Sequence, residues 1–232
     1  MKIRLLTFAS ASDAVGAAEL ELNLEPGATV GSLKRLLGER HPTLDGLWTR
    51  LAIAVDGEIS NDETALVDGA EVALLPPVSG GSPSLATSHR TRLTDRPISA
   101  SEVVACVERP GSGAVLLFLG TVRDDHRGRA VARITYSAYR EMAEQRLARI
   151  VDDLEAGKPD LRVHLVHRLG TLEIGEASVA IAVSSPHREA SYRASRSALE
   201  RIKAEVPIWK REHYADGEVA WREEEPLGST GG

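Results

Sequence analysis

The segment at residues 76–97, PPVSGGSPSLATSHRTRLTDRP, constrains the chain most. It is rich in Pro, Gly, Ser and Thr and has no apolar period, so no helix or strand is expected to run through it. A chain of 232 residues broken there reads as two domains of ordinary size. Fully extended, the sixteen residues from Gly81 to Arg96 would span at most ~55 Å, enough for one domain to move around the other. The expected division is a first domain over 1–81, a flexible linker over 82–97, a second domain over 98–224 and a disordered tail over 225–232.

Before the break, hydrophobic period gives a compact order of elements. Lys2–Phe8 reads as a strand, and Glu19–Leu24 alternates with period two as a half-buried strand does. Thr29 or Ser32 can cap a helix whose Val30, Leu33, Leu36 and Leu37 share one face, ended by His41-Pro42. Leu51, Ile53 and Val55 alternate before the turn signal Asp56-Gly57, and Glu71–Leu75 makes a last strand. Strand, strand, helix, strand, strand is the order of a β-grasp, the ubiquitin-like fold. The second domain reads as a larger α+β domain with mostly antiparallel sheet. Ser101 with Glu102 opens a short helix. Strands follow at Ala114–Val122 and Val131–Tyr136, then a helix over Glu141–Glu155. Two more strands (Arg162–His167 and Ser178–Ser184) precede a helix over Glu189–Ala204. A hairpin of Ile208–Tyr214 and Val219–Arg222, turned at Asp216-Gly217, completes it.

Composition narrows the function class. Apolar residues at 42% and charged residues at 27% are globular values, and no apolar run reaches the roughly 20 residues that span a bilayer, so no membrane role is expected. The one cysteine, Cys106, cannot form an internal disulfide, fits the reducing cytoplasm, and in its apolar run Val103–Val107 reads as a core residue. Residues 1–81 carry 6 basic and 12 acidic side chains, while the remainder balances at 22 of each. An acidic first domain excludes nucleic acid as its partner and suits docking on a basic site.

Two features carry chemistry. Gly80-Gly81 follows Pro76-Pro77-Val78-Ser79 directly after the last strand, and a tail without side chains can thread a channel where any Cβ would clash. The second Gly-Gly, Gly231-Gly232, has no strand beside it and reads as plain tail. In the second domain, cations cluster where a core would not place them. Arg123 ends the strand in Gly120-Thr121-Val122-Arg123, and Ser184-Ser185-Pro186-His187-Arg188 joins a strand end to a helix start, where free N–H groups favour an anion. Lys203 closes that helix, and Lys210 lies beside a Trp and another Arg in Pro207-Ile208-Trp209-Lys210-Arg211-Glu212.

On these stretches (GTVR, SSPHR and above all KAEVPIWKRE) the second domain resembles the large, catalytic subunit of molybdopterin synthase. The first domain, with its Gly80-Gly81 end, resembles the small, sulfur-carrying subunit. The resemblance implies conversion of cyclic pyranopterin monophosphate to molybdopterin by two sulfur transfers from a thiocarboxylate at Gly81, formed by a separate adenylating and sulfurating enzyme. It implies that Lys203 and Lys210 stand at the transfer centre, that Arg123, His187 and Arg188 bind phosphate and pterin, and that Phe118 lines the pocket. Leu199 stands where the family can carry Met. No cofactor is implied, and no metal-ligand cluster is visible. The implied chemistry suits the residues: a lysine near other cations gives up its proton more readily, and arginine grips phosphate through two donors.

Spacing adds a constraint. Arg188 and Lys203 are 15 residues apart on one helix, ~22 Å along its axis, too far to share one small substrate. A homodimer of second domains with shared sites is therefore expected. Because Gly81 is bonded to Ser82, cleavage there is needed before a thiocarboxylate can form. Two other readings stay open: a carrier or docking protein without turnover, and an enzyme for another phosphorylated substrate with Gly80-Gly81 as a hinge.

Overall fold

The computed structural model describes residues 1–77 and 90–222. It divides into two compact units, Met1–Pro83 and Ser84–Gly232. Gly80, Gly81, residues 82–89 of the expected linker and the tail at 225–232 lie outside the described residues.

In the first unit β1 (Lys2–Thr7), β2 (Glu19–Asn23), β3 (Ala52–Val55), β4 (Glu58–Ser60) and β5 (Glu71–Leu75) form one sheet of order β2-β1-β5-β3-β4. The central β1–β5 pair is parallel and the others antiparallel, the mixed sheet of a β-grasp. Helix α2 (Val30–Arg40) buries Val30, Leu33 and Leu37 on this sheet, as their spacing requires. Thr29 is its cap. The Thr29 side chain accepts from the Ser32 amide while Ser32 accepts from the Thr29 amide, so the two candidate residues form one capping box. A second helix, α1 (Ala9–Val15), was not expected from its sequence ASASDAV. Small residues give little periodic signal, but Ala9, Ala11 and Val15 are buried and Gly16 closes the helix in the left-handed conformation at φ 80°. Strand β5 ends in buried Leu74, Leu75 and Pro76, and Pro77 beyond it is exposed.

The second unit has two sheets. The first contains β6 (Thr91–Thr94), β7 (Ala114–Thr121), β10 (Arg162–Arg168) and β12 (Ala177–Ser185), in the order β6-β10-β12-β7. The second contains β9 (Arg129–Ala138), β11 (Gly170–Glu173), β13 (Ile208–Tyr214) and β14 (Val219–Arg222), in the order β11-β9-β13-β14, with β8 (Asp125–His126) paired to β9. Every pair is antiparallel except β6–β10. Helices α4 (Arg140–Glu155) and α5 (Arg188–Glu205) cover one face of the first sheet around Leu147, Ile150, Leu165, Ile181 and Ala198. Helix α3 (Ala100–Ala105) covers the other face through Val103, beside Val166, Ala180 and Ala182.

Three expectations change here. Thr91–Thr94, counted with the flexible linker, is strand β6, and Leu93 and Thr94 are buried against β10. Four residues with one apolar side chain cannot announce a strand; the parallel partner creates it. Ser99, rather than Ser101, caps α3. Cys106 is exposed, not core: it ends α3, and the helix period turns Val103 and Val107 inward and Cys106 out.

Candidate active site

Strand β12 delivers one half of the site. Its last residues Ser184 and Ser185 are buried, and Ser185 Oγ bonds the Ser191 hydroxyl at 2.6 Å and the His187 carbonyl at 2.8 Å, fixing the corner before α5. His187 is the N-cap of α5 and Arg188 its first residue, both exposed. This places two donors beside the amide end of an 18-residue helix, where an anion is favoured. The corner fits closely against its neighbour: a Cβ on Gly113 would lie 2.5 Å from the Pro186 carbonyl oxygen.

The other half forms where α5 ends. Lys203 is exposed in its last turn, on the side opposite buried Ala198 and Ile202. The chain turns at Val206-Pro207 and enters β13, where Lys210 stands half-buried opposite Tyr136 of β9. Directly opposed residues point their side chains to one face. The Tyr136 ring meets the His167 ring edge-on at 5.1 Å, and His167 Nδ1 donates to the Arg168 carbonyl at 2.9 Å. Burial drives the His167 pKa down to about 4, so a neutral imidazole backs Tyr136 next to the Lys210 row. Alternation sends Trp209 and Arg211 to the opposite face from Lys210. Trp209 and Arg211 therefore do not share a face with Lys210, although the three are adjacent in sequence. On that second face Arg211 lies 5.4 Å from the Trp221 ring. There burial first, then Arg133 and Arg211, lower the pKa of His213.

Arg123 is exposed just past the end of β7. Strand register fixes its place relative to the rest. Thr121 pairs with Ala177 and Ala114 with Ser185, so Arg123 and the His187–Arg188 corner lie at opposite ends of the β7–β12 pair, ~25–30 Å apart. Val122 packs with Val131, Ile134, Leu172 and Tyr214, which carries Arg123 toward the sheet that holds Lys210. Phe118, opposite Ile181, packs partly buried on the main core, and Leu199 packs there from α5. One protomer thus places Arg123 and the His187–Arg188 corner at opposite ends of the β7–β12 pair, and Lys203 at the far end of α5 from Arg188.

One group escaped sequence reading. Glu212 is 2% exposed, two residues beyond Lys210 on the same strand face. It accepts from the Tyr214 hydroxyl at 2.6 Å, and its Oε1 lies 3.4 Å from His126 Nδ1. Its signal was present: Ile208, Lys210, Glu212 and Tyr214 alternate, and a carboxylate at an inward position demands partners.

The MoaE protein family model matches residues 93–205, and the ThiS family model matches residues 5–81. A molybdopterin synthase catalytic subunit from Halalkalibacterium halodurans is 47% identical over 133 residues, covering 57% of this chain and 85% of that protein. This chain belongs to the molybdopterin synthase catalytic-subunit family. It carries a ThiS-family sulfur-carrier domain in front. The molybdopterin synthase catalytic subunit of Bacillus subtilis is 46% identical over 130 residues, 56% of this chain and 83% of that protein. A crystal structure of molybdopterin synthase from Staphylococcus aureus superposes with a TM-score of 0.56 at 38% identity, covering 59% of this chain and 99% of that one. The chain is accordingly an enzyme of molybdenum cofactor biosynthesis, of the sulfurtransferase type. Among the described residues no helix is long and apolar enough to cross a membrane.

Proposed function

We propose that this chain makes molybdopterin from cyclic pyranopterin monophosphate, using sulfur delivered as a thiocarboxylate on Gly81 after cleavage of the Gly81–Ser82 bond. The observation that carries this is where the carrier match stops: the ThiS-family region ends at Gly81, the second residue of the Gly-Gly pair. Sulfur carriers of this kind react through a terminal carboxylate, which the peptide bond to Ser82 withholds. A separate adenylating enzyme activates the freed end. Each transfer replaces one C–O bond of the substrate with C–S. Water then cleaves the bond between that sulfur and the tail carbonyl and restores the carboxylate.

In this reading Lys203 and Lys210 hold the thiocarboxylate and move protons at the reacting carbon. Arg123, with His187 and Arg188 from a second copy, grips the phosphate and pterin, and Phe118 walls the pocket. The homodimer supplies what one protomer places too far apart. The acidic first domain, with 12 Asp and Glu against 6 Lys and Arg in residues 1–81, suits delivery to this cationic end, and the reaction belongs to the cytoplasm.

Intact mass spectrometry of the protein from its native host tests this reading. The expected result is a fragment ending at Gly81 in which sulfur replaces one oxygen. Only full-length chain in cells with active molybdoenzymes would overturn it.

A further inference from the structure

A carboxylate inside an apolar cluster is costly unless its partners hold it in place. Glu212 is 2% exposed and pairs across the ladder with Ile134, so its carboxylate adjoins the apolar cluster of Val122, Val131, Ile134, Leu172 and Tyr214 rather than water. Instead its two oxygens face the Tyr214 hydroxyl at 2.6 Å and His126 Nδ1 at 3.4 Å. Tyr214 is itself held: the Arg129 guanidinium stacks 3.8 Å from its ring centroid and pairs with Asp216 at 3.0 Å and with Glu218.

His126 is three residues from Arg123 and belongs to β8, the short arm of the β8–β9 hairpin. That hairpin turns at Arg127 and Gly128, both left-handed at φ 54° and 79°, and the Gly128 amide donates to Asp125 Oδ1 at 3.2 Å. β8 is two residues long, and beside it the Val131 amide donates to the Asp124 carbonyl at 2.8 Å, so few backbone bonds hold the segment to β9. On β13, Glu212 and Lys210 are alternate residues on one face, ~7 Å apart. The His126–Glu212 contact therefore ties the segment carrying Arg123 to the strand carrying Lys210.

We infer that His126 is a positioning residue: through Glu212 it sets where Arg123 stands relative to Lys210, and so how tightly the phosphorylated substrate is gripped. This rests on the assignment of Arg123 to substrate binding made above. A tether of this kind acts through Arg123 alone, which separates it from general support of the fold.

The test is a double-mutant cycle on the full chain, read as the Kd for cyclic pyranopterin monophosphate. His126→Ala is expected to weaken binding about tenfold, and His126→Asn, which keeps an N–H near the Nδ1 position, to recover it to within about twofold. In an Arg123→Ala chain, His126→Ala should change nothing further. A full additional loss in that background, or wild-type affinity in His126→Ala, would overturn the inference. Backbone hydrogen exchange at residues 123–128 gives a second readout without substrate. It should quicken in His126→Ala and return to normal in His126→Asn, and unchanged exchange would overturn the tether. Should the unmodified chain fail to bind the pterin at all, the functional assignment falls, while exchange still decides on the tether.

Discussion

Arg188 opens α5 and Lys203 lies in its last turn, ~22 Å apart along one helix axis. Both ends of the helix are cationic, and the register of β7 with β12 separates Arg123 from the His187–Arg188 corner by a similar distance. A substrate held by all of these residues must touch two protomers.

Complementation checks this. Lys203→Ala and Arg188→Ala chains should each be nearly inactive. Mixed and allowed to exchange subunits, they should regain about a quarter of normal activity, since half the dimers are mixed and each mixed dimer has one intact site. No recovery would place both residues in the same protomer's site or outside it.

The corner that presents His187 and Arg188 depends on a side chain that is missing. A Cβ at Gly113 would meet the Pro186 carbonyl oxygen at 2.5 Å, so Gly113→Ala must push the corner away. We expect a loss of about 1–3 kcal/mol in stability and weaker substrate binding. Calorimetry and ligand titration of the same sample would show both. Unchanged binding would mean that the corner does not grip substrate.

Acid stability should carry the mark of His167. Its folded pKa, held near 4 by burial, lies below the ordinary 6.5. Above pH 6.5 neither state binds the proton and the full stability is present. As pH falls toward 4 the unfolded chain takes up a proton that the folded one refuses, and stability drops by up to about 3 kcal/mol. The pKa values of His164 and His213 are also lowered, both by burial first, and act in the same direction. Denaturant unfolding between pH 7 and 4 should therefore show a shallower decline in His167→Asn than in the unmodified chain.

Much of this was legible in the sequence, because period and turn chemistry are local. The α2 face at Val30, Leu33 and Leu37, the strands 71–75 and 208–214, and the Lys203 and Lys210 stretch all follow from residue order. Elements created by partners were not legible. Helix α1 has too few large side chains to show a period, β6 exists only because β10 pairs with it, and Cys106 faces outward although its neighbours are apolar. In the site, Lys210 and Arg211 are neighbours in sequence but lie on opposite faces of β13, as strand alternation requires. The inward position of Glu212 could be read from alternation but its partner could not, since His126 is 86 positions away and only the fold brings them together.

Strand β6 also bears on the proposed release of the carrier. Nine residues, 82–90, separate Gly81 from Thr91, the first residue built into the catalytic unit's sheet. In the proposed maturation only a cut at the Gly81–Ser82 bond would expose the Gly81 carboxylate, and it would leave the β6–β10 edge intact. A cut beyond Thr91, ten residues later, would strip a strand from the enzyme. Maturation in such a fusion would thus be a matter of address, with nine residues between the bond that must be cut and the strand that must not.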